Sequence, residues 1–125
     1  MIVLDSSVVL ATFLNEPGSE IFLNIVGDYA ISSVNLGEVV TKLTEIGYDE
    51  VAVYAATLPI LANCHVLSAM QGVVAGVLRR KTRHLGLSMG GRCCLALGLD
   101  LGAEVWTADR AWAGLDLGVK VRVIR

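Results

Sequence analysis

Three acidic residues are placed where they could do chemistry in this 125-residue chain: Asp5, Glu38 and Asp109. Asp5 directly follows the apolar run Ile2-Val3-Leu4, and Asp109 comes just after Val105-Trp106-Thr107. Both runs have the length and residue types of short strands. Glu38 falls one turn into a helix expected to begin at Asn35, after a second strand-like segment at residues 29–33. Carboxylates gathered in one place repel, and burial penalises each ion, so a cation is the natural compensation. An oxygen-only donor set selects a hard ion, Mg²⁺ or Mn²⁺, over a thiolate zinc site. Such an ion beside a phosphodiester would polarise the phosphoryl group and stabilise the leaving oxygen, so phosphate chemistry is the expectation. Each acid also has a plainer reading. Asp5 and Asp109 could cap the helices that follow them, and Glu38 could be a solvated helical acid.

The elements that must position these residues alternate along the chain. After the first strand, Val8, Val9, Leu10, Phe13 and Leu14 recur at helical spacing up to the break at Pro17-Gly18. Ser19 can cap a second helix with Ile21, Phe22, Ile25 and Val26 on its apolar side, ending near Gly27. Helices are expected from Asn35 to Gly47, from Asp49 to Leu61 with an interruption near Pro59, from Ala69 to Arg83, and from Ser88 to about Leu99. Strands are expected at residues 64–67, 104–107 and 119–124, with a short helix at 109–115. Strands separated by helices imply a parallel sheet covered on both faces. Residues 1–125 therefore read as one α/β domain, and ligands of such sheets sit beyond the carboxyl ends of the strands. That edge is where the three acids would meet.

Composition narrows the class. The chain is 54% hydrophobic and 18% charged with two prolines, which excludes disorder and a loop-built secreted scaffold. Its mean hydropathy of +0.64 leaves apolar surface over for a partner. The net charge of -2 hides an asymmetry: residues 1–62 carry eight acids against Lys42 alone, and residues 63–125 carry nine bases against four acids. The acidic half suits a cation, and the basic half suits a polyanion or an acidic protein. Cys64, Cys93 and Cys94 imply no disulfide framework and point to a reducing cytoplasm, and Met1 leads straight into the first strand with no leader expected. Residues 51–78 lack Asp, Glu, Lys and Arg, but Pro59, Asn63, His65, Ser68 and Gln71 interrupt them, so no membrane span is expected.

Four segments together carry a resemblance: Leu4-Asp5-Ser6-Ser7-Val8, then residues 32–39 ending in Glu38-Val39, then Leu87-Ser88-Met89-Gly90-Gly91-Arg92-Cys93-Cys94, then Trp106-Thr107-Ala108-Asp109-Arg110-Ala111-Trp112. In order and spacing the chain resembles the PIN-domain ribonucleases of the VapC toxin class over essentially its whole length. The resemblance implies a three-layer α/β/α sandwich with a parallel sheet of about five short strands. It also implies a homodimer that cleaves RNA with Mg²⁺ or Mn²⁺ and is held inactive by a cognate antitoxin. Carried over by position, Asp5, Glu38 and Asp109 match the family's acidic residues and Thr107 the polar residue before the last acid, with Ser6 and Arg92 as supporting neighbours.

The departure lies at Gly91, where the family's pattern places an acid between Gly90 and Arg92. Local physics expects one too. With Ser88 as N-cap, residue 91 is the third helical position, where an acidic side chain favours the helix start. A glycine there should weaken metal binding and leave the chain attenuated or inactive. The alternative is a non-catalytic PIN-like module that binds a protein partner or RNA. A response-regulator-like domain fits poorly, since no acidic pair follows the first strand and no suitable lysine follows the last main strand.

Other residues invite weaker readings. His65 and His84 lack a third zinc ligand at useful spacing. Cys64 has no orienting base. Arg79, Arg80, Lys81 and Arg83 could stabilise a helix end or meet RNA or antitoxin, Arg92 could steer phosphate or pair with an acid, and Arg110, after Asp109, could do the same or instead cover Trp106 or Trp112.

Overall fold

The computed structural model describes residues 1–24 and 28–125. Five short strands, β1 (Ile2–Leu4), β2 (Tyr29–Ser32), β3 (Cys64–His65), β4 (Glu104–Thr107) and β5 (Val121–Val123), form one sheet in the order β3-β2-β1-β4-β5. Every pairing is parallel, and the register sets Leu4 opposite Trp106 and Val3 opposite both Ala30 and Val105.

Period-two alternation divides the strand residues between two cores. Leu4, Ile31 and Trp106 face one side, where they meet Val8 and Val9 of α1 (Ser6–Phe13), Val39 and Leu43 of α3 (Ser33–Glu45), and Val53 and Ile60 of α4 (Glu50–Leu61). Val3, Ala30 and Val105 face the other side, against Cys94, Leu95 and Leu97 of α7 (Met89–Leu101). Both faces are covered, which is why these strands read as continuous apolar runs. Between β3 and α7 lie α5 (Ala69–Val77), α6 (Arg79–Thr82) and a 3₁₀ turn at Arg83–Leu85, while α2 (Ser19–Leu23) follows α1 and a second 3₁₀ turn spans Arg110–Gly114. The result is the three-layer α/β/α sandwich expected from sequence.

Several boundaries differ from those expected. The second strand ends at Ser32, because its hydroxyl accepts the Val34 amide at 3.3 Å and starts α3 two residues before Asn35. The segment expected as a helix over residues 69–83 is divided into α5, α6 and the first 3₁₀ turn, which ends on Gly86 at φ 66°. The third strand stops at His65; there Ser33 Oγ takes the Leu67 amide at 3.0 Å. Pro59 does not end α4, which continues to Leu61. The carbonyl left without a donor belongs to Ala55, on the exposed face where solvent can replace the bond. The expected continuation of α2 through Ile25, Val26 and Gly27 lies outside the described residues. Among the described residues, no helix is long and apolar enough to cross a membrane.

One close approach fixes how α7 lies on the sheet. A Cβ at Gly98 would collide with Val105 Cγ2 of β4, so the helix can rest on that strand only with glycine at this position.

Candidate active site

The chain leaves β1 toward β2 and β3 on one side and returns through β4 and β5 on the other, so strand order reverses at β1. Asp5 stands at this reversal, and its amide donates to Trp106 O at 2.9 Å. Although Asp5 occupies the N-cap position of α1, its carboxylate makes no capping bond. Instead Oδ2 accepts the Ser7 hydroxyl at 2.5 Å and the Thr107 hydroxyl at 3.1 Å. Asp5 is 6% exposed. Burial pushes its pKa above the ordinary 3.8, the Ser7 and Thr107 hydrogen bonds pull it back, and the charge of Glu38 raises it further.

Glu38, half-buried in the second turn of α3, is held by two donors. Its Oε1 accepts Ser6 Oγ at 3.1 Å and Asn35 Nδ2 at 2.9 Å, and Asn35 Nδ2 also reaches Gly90 O at 2.9 Å. Gly90 makes the arrangement possible, because a Cβ there would overlap the Glu38 carboxylate. Two consecutive serines at the start of α1 thus take one acid each: Ser6 binds Glu38 and Ser7 binds Asp5. Ser7 also accepts the Ala108 amide at 2.9 Å, fastening the exit of β4 to the exit of β1.

Asp109 is exposed, and its Oδ1 accepts the Ala111 amide at 2.9 Å as the cap of the Arg110–Gly114 turn. Two acids with the same competing cap reading are therefore separated: Asp5 is free of that duty and Asp109 performs it. Thr107 links them, since its Oγ1 takes the Asp109 amide at 3.1 Å while donating to Asp5. At position 91 the backbone amide donates to Ser88 Oγ at 3.2 Å, giving the expected N-cap. Gly91 is buried, and a Cβ on it would lie 2.9 Å from Trp112 Cζ2.

Arg92 is turned away from the acids. Its Nη1 donates to Ala75 O at 3.0 Å, joining α7 to α5, and its buried Nε has no hydrogen-bond partner among the described residues. Arg110 bonds Arg125 O at 3.3 Å, and the cation that covers Trp106 is Arg122, 4.4 Å from the ring centroid. Sequence reasoning missed Ser7 and Asn35. The signal for Asn35 was its place three residues before Glu38, one helical turn away.

Asp5 and Glu38 fit a hard divalent cation as two oxygen ligands, with a raised carboxyl pKa that a cation would relieve. Asp109 as placed does not join them. Among the described residues, no three His, Cys, Asp or Glu side chains are grouped to hold a metal together. When bound, such an ion supplies Lewis-acid polarisation of a phosphoryl oxygen and neutralises charge at the leaving oxygen. The hydroxyls of Ser6, Ser7 and Thr107 orient the two carboxylates, and Asn35 ties Glu38 to the start of α7.

The PIN domain family model matches residues 2–116, and the chain belongs to that family. No curated protein matches it. Solved structures with the same fold include a toxin–antitoxin complex from Klebsiella pneumoniae at 19% identity and TM-score 0.74, covering 95% of each chain. The sarcin-ricin loop cleaving toxin VapC20 of Mycobacterium tuberculosis is 17% identical with TM-score 0.74, over 96% of this chain and 99% of that one. VapBC2 of Rickettsia felis bound to a promoter DNA fragment is 16% identical with TM-score 0.72, over 98% of each. The fold is that of the VapC toxins.

Proposed function

We propose that this chain is a VapC-type toxin, a ribonuclease that hydrolyses RNA phosphodiesters with Mg²⁺ or Mn²⁺ between Asp5 and Glu38, attenuated by the lack of a carboxylate at position 91. The observation that carries this is the Asp5–Glu38 pair itself. A buried carboxyl is electrostatically coupled to a second one at the strand-order reversal, and hydroxyls aim both. Such a pair is costly to maintain without a cation. A second reading, a non-catalytic module binding a protein partner or RNA, is favoured by Asp109, whose carboxylate is engaged in capping.

Cleavage of a defined RNA panel across Mn²⁺ concentrations, by the chain and by its Asp5→Asn and Glu38→Gln variants, separates the two. Metal-dependent cleavage lost in both variants supports the nuclease. Metal-independent cleavage surviving Asp5→Asn overturns it, and no cleavage at any metal concentration leaves the binding module.

In the same proposal the chain pairs with a cognate antitoxin in the cytoplasm and forms a homodimer. Val51, Tyr54, Leu58 and Leu61 expose an apolar stripe along α4, at the spacing of one helix face. A strictly monomeric species by light scattering at micromolar concentration would refute the dimer.

A further inference from the structure

Between Glu50 and Asp100 the sequence contains no acid, and four of the five bases in that interval fall within residues 79–83. Arg79, Arg80, Lys81 and Arg83 are all exposed, and among the described residues none of them is in an ion pair. They line a cleft of about 500 Å³ whose remaining walls are Gly76 and Val77. Beneath it, Thr82 is fully buried and its hydroxyl bonds Leu78 O at 2.9 Å, so the turn that carries the four cations is anchored.

The position of this cleft relative to the acids follows from how α5 packs. Gln71, near the start of α5, bonds Asp100 near the end of α7 at 2.8 Å, while Ala75, near the end of α5, receives Arg92 from the start of α7. The two helices are therefore antiparallel. The end of α5, and the cationic turn after it, lie beside the first turn of α7, where Gly90 meets Glu38.

We propose that Arg79, Arg80, Lys81 and Arg83 form a docking site for the phosphates of single-stranded RNA, placed to deliver the strand to the Asp5–Glu38 pair. This rests on the nuclease reading for its destination but not for its chemistry. A polyanion approaching two carboxylates is repelled by them, and an adjacent cluster of unpaired cations offsets that repulsion. Guanidinium groups present planar forks that match phosphate oxygens. A protein segment would need an apolar anchor in the cleft to bind tightly there, and among the described residues Val77 is the one apolar side chain lining it, the exposed Met70 and Val73 lying further back along α5. The site reads charge and not base identity, so it should accept unrelated sequences alike.

The test is anisotropy of a fluorescein-labelled single-stranded RNA of mixed sequence, titrated in EDTA at several salt concentrations. Removing each phosphate-contacting cation should reduce the log–log salt slope by about 0.7. The Arg79→Ala/Arg80→Ala pair and the Lys81→Ala/Arg83→Ala pair should each lose about 1.4, while the triple Arg-to-Lys variant at 79, 80 and 83 keeps the slope. Thermal unfolding and the Mn²⁺ binding isotherm should be unchanged in all of them. A parent chain that fails to bind RNA at low salt, or a slope unmoved when all four cations are removed from a folded protein, overturns the proposal. So does a poly-glutamate peptide whose binding depends on these residues when RNA binding does not, which would mark a protein-partner surface. Failure of the nuclease reading is seen separately. If no metal supports cleavage while salt-dependent binding still tracks the four cations, the docking site stands without the enzyme.

Discussion

Gly91→Asp is the most informative single substitution in this protein. On the fold, three effects of similar size compete. Replacing glycine inside a helix recovers a few tenths of a kcal/mol, and an acid in the first turn adds about 0.3–1 kcal/mol. Against these, the new Cβ would lie 2.9 Å from Trp112 Cζ2, so the buried ring must withdraw by roughly half an ångström to reach ordinary contact. The new carboxylate is also desolvated at a buried position and repelled by Asp5 and Glu38, so Gly91→Asp should lower Tm in metal-free buffer, and added Mn²⁺ should recover the loss.

The effect on metal binding is larger. The Cβ at position 91 faces Trp112 and Leu87, so the new carboxylate has to turn back toward the acids; within about 5 Å of a cation, at an effective dielectric of about 20, it is worth roughly 3 kcal/mol per unit of cation charge, and even half of that tightens Mn²⁺ binding more than tenfold. Calorimetric titration with Mn²⁺ reads the affinity, tryptophan fluorescence reads the ring, and RNA cleavage should rise in step. A folded Gly91→Asp protein with an unchanged Mn²⁺ isotherm and unchanged cleavage would refute the electrostatic account. The Gly91→Asp/Trp112→Phe double variant shows whether the ring was the obstacle, since the shorter side chain removes the contacting atom. If neither variant gains affinity, position 91 has no part in holding the ion.

Asp5→Asn should melt at a higher temperature than the parent in metal-free buffer at neutral pH, because it removes a buried charge while retaining an acceptor for Ser7 and Thr107. The sign follows from the raised native pKa. Asp5 contributes most stability below the unfolded value near 3.8 and loses it as pH climbs through the native value, a dependence that thermal melts against pH should show and the variant should lack. Added Mn²⁺ should stabilise the parent and not the variant. Asn35→Ala should cost about 1–3 kcal/mol by opening a buried polar site and removing the bridge from Glu38 to Gly90 O, read by denaturant unfolding, and it should also weaken Mn²⁺ binding. Gly98→Ala should destabilise the chain by about 1–3 kcal/mol without altering RNA binding at low salt, because the added methyl meets Val105 toward the C-terminal end of α7, whereas the cationic cleft lies beside that helix's first turn.

Much of the architecture was legible because parallel strands buried on both faces leave unbroken apolar runs, and each run here ends in a polar signal such as Asp5, Ser32 or Thr107. The interiors of helices were legible from their spacing. Their ends were less so, since whether Ser32 closes a strand or opens a helix depends on where its hydroxyl turns. The acids show the same limit. Asp5 directly follows β1 and Asp109 stands two residues past β4, each before a helical turn that it could cap, so residue type does not separate them. Ser7 draws the first carboxylate inward, while Ala111 offers the second a backbone amide. Arg122, not Arg110, covers Trp106 because β5 pairs Arg122 directly with that residue, a relation set by register and invisible to sequence neighbours. Asn35 escaped notice for a different reason. Its role requires the start of α7 to arrive beside it, and that helix lies 55 residues further on.

The central place of β1 gives the chain an order of events. Residues 2–4 are made long before residues 104–106, which flank them on one side, and Thr107 completes the hydrogen bonding of Asp5. Until β4 has been made, β1 has β2 alone beside it and Asp5 lacks its second hydroxyl. A chain that ends before Thr107 is thus unable to assemble the acidic pair as seen here.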